Sequence, residues 1–217
     1  MTIYDDLLES GQYKENTEVP CTPAEAFIHR WYQCKRLMEP AQTQLYETIA
    51  SQVSGLNVCD VGSGAGLGSL ILAQEAQAVV GIEVVKDGVT FAEKCFPVKN
   101  LVFVLSSIIG WDPPIPFDAV VAIELIEHIA DYHGALTSMA AILTDDGVLY
   151  ISTPNRNTPT SLPDKPRNAH HVREWTAQEF LEILSLYFSD VKLYDRALVP
   201  QDPDTILTPI LAVCNNG

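Results

Sequence analysis

Long apolar runs are missing from this sequence. Runs such as Leu70–Ala73 and Ala119–Ile123 are far too short for a transmembrane helix, which needs about 20 apolar residues. The N-terminus, MTIYDDLLESGQYKEN, is acidic and polar, without the basic start and apolar stretch of a secretory signal. We therefore expect no membrane span and a cytoplasmic location.

Paired cysteines are also missing. The chain has five cysteines, which are scattered, odd in number and without any C-x-x-C pair: Cys21, Cys34, Cys59, Cys95 and Cys214. This pattern matches neither a disulfide framework nor a zinc-finger spacing. Cys59 stands in an apolar, strand-like run and is expected to be a small core residue.

Basic residues are scarce, since 13 Lys and Arg stand against 28 Asp and Glu, giving a formal net charge of -15. No Lys/Arg-rich run is present. A field of this sign repels polyanions at long range, so a broad nucleic-acid-binding surface is disfavoured. The simplest partner is a small-molecule substrate.

Strands and helices alternate from residue 56 onwards. Strands are predicted over Leu56–Val61, Ala78–Ile82, Leu101–Leu105, Phe117–Ile123, Val148–Ser152, Val191–Tyr194 and Thr208–Cys214. Helices are predicted over Thr22–Met38, Glu39–Ser54, Leu67–Gln77, Lys86–Phe96, Asp131–Leu143 and Thr176–Tyr187, with a turn at 145–147 and a long loop over 154–175. The loop either passes over a cleft or is an ordinary solvated loop.

This alternation predicts an α/β fold, a Rossmann-like doubly wound sheet of seven mostly parallel strands. The last two strands are joined without a helix, which predicts an antiparallel hairpin at the C-terminal edge. We expect residues 1–38 to form a tail and a roof helix, and residues 39–217 to form the α/β domain. Ligands of such sheets bind beyond the carboxyl ends of the strands.

Four glycines follow the first strand of the alternation. The segment VCDVGSGAGLGSLILA runs from Val58 to Ala73. Glycine lets the chain turn tightly and brings its backbone against a ligand, and the helix behind the loop offers free N–H groups. The dinucleotide fingerprint G-x-G-x-x-G fits neither register, because Leu67 or Ser69 stands where the third glycine is required.

The spacing D-x-G-x-G-x-G, which begins at Asp60, resembles motif I of class I S-adenosylmethionine (SAM)-dependent methyltransferases. The resemblance implies a SAM site built from Gly62, Ser63, Gly64 and Gly66, with Asp60 near the amino-acid moiety of SAM. A carboxylate suits the ammonium and sulfonium charges of SAM and repels a pyrophosphate. Glu83 ends the next strand and is expected to accept the ribose hydroxyls, with Val84 beside it.

Two further SAM contacts are implied by the resemblance. In this family the third strand often ends in Gly-Asp-Ala, with the acid near the adenine amino group, and here Ser107 takes the place of that acid. A helix before the core often roofs the SAM site in related enzymes. Arg36, in the predicted helix Thr22–Met38, is the candidate for the methionine carboxylate.

Glu124, Glu127 and His128 follow the fourth strand, in FDAVVAIELIEHIAD. Their offsets of i, i+3 and i+4 place them on one face if a helical turn begins there. Two carboxylates and an imidazole can hold a divalent cation. The imidazole can instead act as an acid or base, or the three groups can have a structural role.

This segment resembles motif IV of the ubiquinone-biosynthesis-type O-methyltransferases. The pattern E-x-x-E-H with a later His also resembles the metal-binding methyltransferases that modify the 3′-terminal ribose 2′-hydroxyl of small RNAs. In NAHHVREWT, His171 falls where the fourth metal ligand would be. The resemblance implies Glu124, Glu127, His128 and His171 as a candidate site for Mg²⁺ or another divalent cation. Among them, Glu124, His128 and His171 are candidate catalytic groups, and Glu124 is also a candidate SAM contact.

The patterns together predict SAM-dependent methyl transfer to a small-molecule acceptor. Oxygen is preferred over nitrogen, because a hydroxyl acceptor benefits from a base or a cation. A metal-dependent RNA ribose 2′-O-methyltransferase is a second hypothesis, and the negative charge of the chain counts against it. A third is a non-catalytic SAM- or adenosylhomocysteine-binding protein, which the intact loop and the polar cluster disfavour.

Overall fold

A computed structural model describes residues 38–157, 166, 168, 170–206 and 209–215 of the chain. The candidate SAM contact Arg36 lies outside these residues, as does the predicted roof helix apart from its last residue, Met38. The division of the chain at residue 38 therefore stays a prediction.

The described helices and strands alternate along the chain. The helices are α1 (Pro40–Ala50), α2 (Leu67–Leu72), α3 (Lys86–Cys95), α4 (Tyr132–Ala141) and α5 (Ala177–Leu184). The strands are β1 (Asn57–Val61), β2 (Ala78–Glu83), β3 (Leu101–Leu105), β4 (Phe117–Ile123), β5 (Leu143–Thr153), β6 (Asp190–Tyr194) and β7 (Ile210–Asn215). A single 3₁₀ turn, Ile126–His128, separates β4 from α4.

The strands form one sheet with the order β3-β2-β1-β4-β5-β7-β6. β1 to β5 pair in parallel, and β7 is antiparallel to both β5 and β6. This confirms the predicted α/β fold and the antiparallel C-terminal hairpin. The strand order reverses between β1 and β4, so the crevice expected to bind ligands lies where these two strands end.

Both faces of the sheet are covered, as a parallel sheet requires. Hydrophobic residues of α1, α2 and α3 pack on one face, and those of α4 and α5 pack on the other. The central strands are accordingly apolar, and Val120, Val121 and Ala122 of β4 are fully buried. Among the residues that the structure describes, no helix has the length and apolar character needed to cross a membrane.

Two elements differ most from their predicted bounds, each by five residues at one end. The helix expected to reach Gln77 ends at Leu72, because the chain turns back and the N–H of Gln77 bonds the carbonyl of Leu56. The turn predicted at 145–147 lies within β5. There the register shifts, since Phe117 pairs with Leu143 but Ala119 pairs with Val148. The intervening residues of β5 therefore bulge out of the ladder.

Candidate active site

A cleft of about 790 Å³ opens at the carboxyl ends of β1, β2 and β4. The first turns of α1 form one wall and the glycine loop forms the floor. The lining residues are Met38, Gln42, Tyr46, Gly62, Ser63, Gly64, Ala65, Leu67, Glu83, Val85, Gly88, Ile123, Glu124, His128, Asn168 and His170. The structure thus brings the glycine loop, Glu83, Glu124 and His128 to one cavity, although they come from three separate stretches of sequence.

The glycine loop needs the left-handed backbone that glycine allows. Gly62, Gly64 and Gly66 have φ values of 73°, 56° and 87°. A Cβ on Gly62 would lie 2.6 Å from Leu125, whereas a Cβ on Gly64 would meet nothing within 4 Å. Open space therefore lies beside Gly64, where the chain borders the cleft. The hydroxyl oxygen of Ser63 is buried with no partner among the described residues.

Glu83 is fixed by the backbone around it. Its Oε2 accepts a hydrogen bond of 2.9 Å from the N–H of Gly64, and its Oε1 accepts from Val84 at 2.8 Å and Val85 at 2.9 Å. These bonds tie the end of β2 to the glycine loop. They also hold a carboxylate at the edge of the cleft in one orientation.

Asp60 differs from the sequence-based expectation. Its side chain is fully buried behind the loop, with Oδ1 accepting from Tyr46 at 2.9 Å and Oδ2 accepting from Ser69 at 2.6 Å. Burial raises its pKa to about 6, although both hydrogen bonds act to lower it. Asp60 therefore joins α1, β1 and α2 and does not line the cleft.

Two other expected SAM contacts lie outside the lining of the cleft. Val84 is 67% exposed, and the cleft is instead lined by the next residue, Val85. Ser107 is exposed, and its hydroxyl accepts a hydrogen bond of 3.2 Å from the N–H of Ile109. This bond stabilises the turn after β3, and a contact between Ser107 and SAM stays a prediction.

Glu124 stands at the end of β4 in an uncommon backbone conformation. Its φ is 51°, in the left-handed region that costs a non-glycine residue about 1–2 kcal/mol. Ser152 at the end of β5 holds it, because the Ser152 hydroxyl donates to Oε1 at 2.9 Å and the Ser152 carbonyl accepts from the Glu124 N–H at 3.2 Å. Burial raises the pKa of Glu124. Strain of this kind is typical of functional sites.

Glu127 is 1% exposed and lies in the 3₁₀ turn. The hydroxyl of Thr153 donates a hydrogen bond of 3.0 Å to its Oε2. Its Oε1 is buried without a partner in the part of the chain that the structure describes. Burial and the nearby charge of Glu124 raise the pKa of Glu127. Half of a buried carboxylate is therefore left unsatisfied, which is costly unless a ligand fills it.

His171 reaches this turn because the segment around it docks on Glu127. The N–H of Val172 donates to the Glu127 carbonyl at 2.8 Å, and the N–H of Arg156 donates to the Trp175 carbonyl at 2.7 Å. The rings of His128 and His171 lie edge to face, with centroids 4.7 Å apart. One ligand atom from each of Glu127, His128 and His171 lies within 4.8 Å of the other two.

Glu124 is not a member of this group, so three of the four expected cation ligands come together among the described residues. The reason is local. Glu124 precedes the 3₁₀ turn with a left-handed φ, so it does not share a helical face with Glu127 and His128. His128 belongs to both features, since it joins the three-residue group and lines the cleft.

Tyr46, Ser152, Thr153 and Glu174 were not recognised as site residues from the sequence. Tyr46, Ser152 and Thr153 form hydrogen bonds to residues that are 14 to 28 positions away in the sequence, and no local sequence pattern predicts these contacts. Glu174 had a signal, because it follows His171 by three residues in H-x-x-E. Its Oε1 lies 2.7 Å from Nδ1 of His171.

Comparisons with known proteins support one family. A sequence profile described as a methyltransferase domain matches residues 30–195. A probable S-adenosylmethionine-dependent methyltransferase of Mycolicibacterium smegmatis is 29% identical over 143 residues, covering 64% of this chain and 54% of that protein. A ubiquinone biosynthesis O-methyltransferase of Haemophilus ducreyi is 28% identical over 146 residues, covering 61% of this chain and 62% of that protein. The chain thus spans about half the length of the curated relatives it matches.

Solved structures show the same fold. A complex of DhpI with SAH has a TM-score of 0.68 at 16% identity and covers 99% of this chain and 97% of its own. A TehB-like SAM-dependent methyltransferase from Corynebacterium glutamicum has a TM-score of 0.67 at 18% identity and covers 89% of this chain and 98% of its own. Fold, cleft and relatives agree on one class of protein, the class I SAM-dependent methyltransferases. This chain belongs to the methyltransferase domain family.

Proposed function

We propose that this domain transfers a methyl group from SAM to a small-molecule acceptor, preferably to an oxygen atom, beside a divalent cation held by Glu127, His128 and His171. The observation that carries the proposal is the position of His128. It lines the cleft in which SAM is expected to bind and also belongs to the group of three candidate ligands. The His128 ring therefore borders both the cleft proposed to bind SAM, the methyl donor, and the three-residue group that would bind the cation and activate an acceptor.

SAM is proposed to bind along the glycine loop. The open space at Gly64 accepts a ligand against the backbone, and the unpartnered hydroxyl of Ser63 offers it a hydrogen bond. Gly62 and Gly66 shape the turn, and Glu83 is already oriented to accept ribose hydroxyls. Asp60 supports this site from behind through Tyr46 and Ser69, with no direct contact proposed. Roles for Val84, Ser107 and Arg36 rest on the family resemblance alone.

The three-residue group fits a cation. The buried, unpartnered Oε1 of Glu127 is the orphaned atom that a cation would satisfy. The Nδ1 of His128 lies 3.1 Å from the carbonyl of His170, and the Nδ1 of His171 lies 2.7 Å from a carboxylate oxygen. Both partners accept hydrogen bonds, so Nε2 is left as the ligand atom of each neutral ring. Two imidazoles with one carboxylate favour Mn²⁺, Zn²⁺ or a similar ion over Mg²⁺.

The preference for oxygen follows from what these residues can do to an acceptor. SAM brings its own leaving group, so the protein mainly aligns the donor with the acceptor. A cation in the group would lower the pKa of a hydroxyl bound beside it. Burial lowers the pKa of His128, which keeps its ring neutral near neutral pH. His128 and Glu124 both lie in the cleft wall. Glu124 is the candidate to receive the acceptor's proton, whereas His128, whose Nδ1 donates to a carbonyl and whose Nε2 would bind the cation, would orient the acceptor through that cation.

The relatives add weight to oxygen without deciding the acceptor. One is named a ubiquinone biosynthesis O-methyltransferase, whereas a structural neighbour at 18% identity is named N-methyltransferase NodS. The cytoplasmic location is likewise a proposal.

Calorimetry and a methyl-transfer assay test the proposal together. We expect the protein to bind SAM, and to methylate hydroxyl acceptors faster than amines of the same carbon skeleton. Turnover should fall after chelation and return with Mn²⁺. Glu127→Gln should retain SAM binding and lose the response to Mn²⁺, whereas Glu93→Gln, at an exposed position of α3, should behave as wild type.

The alternatives give different results in the same assay. Methylation of the 3′-terminal ribose of a short RNA, with no small acceptor modified, would favour the RNA hypothesis. SAM binding without turnover on any acceptor would favour a binding protein. Failure to bind SAM at millimolar concentration would contradict the proposal.

A further inference from the structure

Glu174 has a carboxylate buried where its charge is expensive. Its side chain is 6% exposed, and the side chain of His171 is 9% exposed. The negative charge of Glu174 adds to the two other carboxylates nearby, and it raises the pKa values of both Glu124 and Glu127. A well-packed apolar residue would stabilise the fold as well or better in such a place. A reason other than stability is therefore needed for this carboxylate.

The hydrogen bonds around His171 define which ring nitrogen carries the proton. Glu174 Oε1 accepts only, so the Nδ1 that lies 2.7 Å away must be the donor. On the other side of the ring, Nδ2 of Asn168 lies 3.0 Å from Nε2 and donates to it. The orientation of that amide is itself fixed, because its Oδ1 accepts from the N–H of His170 at 3.0 Å. Both neighbours select the Nδ1–H form of a neutral ring.

A backbone carbonyl selects the Nδ1–H form of His128 in the same way. The His170 carbonyl can only accept, so Nδ1 of His128 donates to it at 3.1 Å. Nδ1 of His128 thus donates to a backbone carbonyl, and Nδ1 of His171 donates to a carboxylate. Only the carboxylate is charged, and only the carboxylate can be changed by a side-chain substitution.

We infer that Glu174 is a positioning residue for a divalent cation: its carboxylate fixes the Nδ1–H form and the orientation of His171, so that Nε2 becomes the ligand atom beside Glu127 and His128. The inference rests on the cation site proposed above. An acceptor behind a ligating imidazole raises the basicity of the ring and fixes its direction. The Asn168 amide donates to Nε2, so it would have to move aside for a cation to bind there.

The first experiment needs no cation. Long-range ¹H–¹⁵N spectra of the full chain labelled in its histidines report the protonated nitrogen of each ring. His171 is assigned by its loss in His171→Gln. We expect the Nδ1–H form in wild type and in Glu174→Gln, whose amide oxygen still accepts, and an increased share of the Nε2–H form in Glu174→Ala. A wild-type His171 protonated on Nε2 would overturn the assignment.

The second experiment measures Mn²⁺ binding by the paramagnetic resonance signal of the free ion. We expect affinity to fall about 10- to 100-fold in Glu174→Ala, and by a smaller factor in the isosteric Glu174→Gln, with SAM affinity unchanged. The matched control is Glu182→Gln, an exposed acid in α5 that loses the same charge. If Glu174→Ala does not fold, Glu174→Gln and the wild-type spectrum still decide the question.

The two proposals fail in different ways. Unchanged Mn²⁺ affinity in the Glu174 variants, with binding lost in Glu127→Gln, would overturn the role of Glu174 and leave the cation site intact. Absence of Mn²⁺ binding by wild type would remove the cation site itself, and with it the purpose inferred for Glu174.

Discussion

The hydroxyl of Thr153 donates a hydrogen bond of 3.0 Å to Oε2 of Glu127, and the other oxygen of the same carboxylate is buried with no partner among the residues that the structure describes. The end of β5 thus holds one half of the carboxylate in place. The second half is left for a ligand. A substitution of Thr153 therefore tests whether its hydrogen bond to Glu127 supports cation binding.

Thr153→Val should weaken both the fold and cation binding. Valine fills the same space but cannot donate, so Oε2 of Glu127 loses its partner inside the protein. We expect the free energy of unfolding to fall by about 1–3 kcal/mol and Mn²⁺ affinity to fall about 10-fold. Urea denaturation and Mn²⁺ titration measure the two effects. Thr137→Val, at an exposed site of α4 where the hydroxyl bonds its own helix, is the control; equal losses in both variants would contradict the prediction.

Gly64→Ala should separate backbone strain from ligand binding. An alanine here keeps φ near +56° and its Cβ meets no protein atom within 4 Å, so the expected loss of stability is about 1–2 kcal/mol. The methyl group points into space that SAM is proposed to occupy, so SAM affinity should fall at least about 10-fold. Gly110→Ala has the same strain, with φ of +75° and no atom within 4 Å. It lies outside the cleft lining and should retain wild-type SAM affinity in calorimetry.

Asp60→Asn should change how stability depends on pH. Burial raises the pKa of Asp60 to about 6 from 3.8, so the folded protein binds this proton more tightly than the unfolded chain does. The carboxyl group therefore contributes most below about pH 4 and loses that contribution as pH rises to about 6. Relative to Asp60→Asn, wild type should lose about 3 kcal/mol over this range. Urea denaturation of both proteins from pH 4 to 7.5 measures the difference, and a difference that does not vary with pH would disprove the assignment.

The strained backbone at Glu124 predicts an unusual order of stability. Both Glu124→Ala and Glu124→Gly remove the carboxylate, but only glycine accepts a φ of 51° without cost. We expect the glycine variant to be the more stable by about 1 kcal/mol. At Glu93, inside α3, the order should reverse, because glycine costs a helix about 1 kcal/mol relative to alanine. Thermal denaturation of the four variants gives both differences, and alanine being preferred at both positions would argue against strain at Glu124.

Much of the fold could be predicted because its determinants are local. Parallel strands buried on both faces produce short apolar runs, and the glycines with Glu83 mark the ends of two of them. The bulge in β5 could not be predicted, because Asp145-Asp146-Gly147 has the composition of a turn, and the strand continues only because the flanking Leu143 and Val148 both pair with β4. Tertiary contact overrode local preference there.

The site was predictable in its residue types and less so in its geometry. The loop, Glu83, Glu124 and His128 line one cleft as their positions at strand ends suggested. The burial of Asp60 was not foreseen, because a carboxylate before a glycine loop looks the same in sequence whether it meets a ligand or two buried hydroxyls. The separation of Glu124 from Glu127 depends on one φ angle, which the spacing E-x-x-E-H does not encode.

The bridge between Asn155 and Trp175 has a consequence for how such a protein can diversify. The two residues pair in parallel, and the N–H of Arg156 bonds the Trp175 carbonyl, so the two ends of the intervening segment are held together. Lengthening a loop whose ends are already closed is inexpensive, at about 0.6 kcal/mol for each doubling. Insertions between residues 157 and 166 can therefore accumulate with little penalty to the fold, whereas Asn168, His170, His171 and Glu174 are tied to the cleft and the cation group. Acceptor preference could drift through such insertions while the SAM cavity stays constant, which makes that stretch the natural place to graft a new specificity.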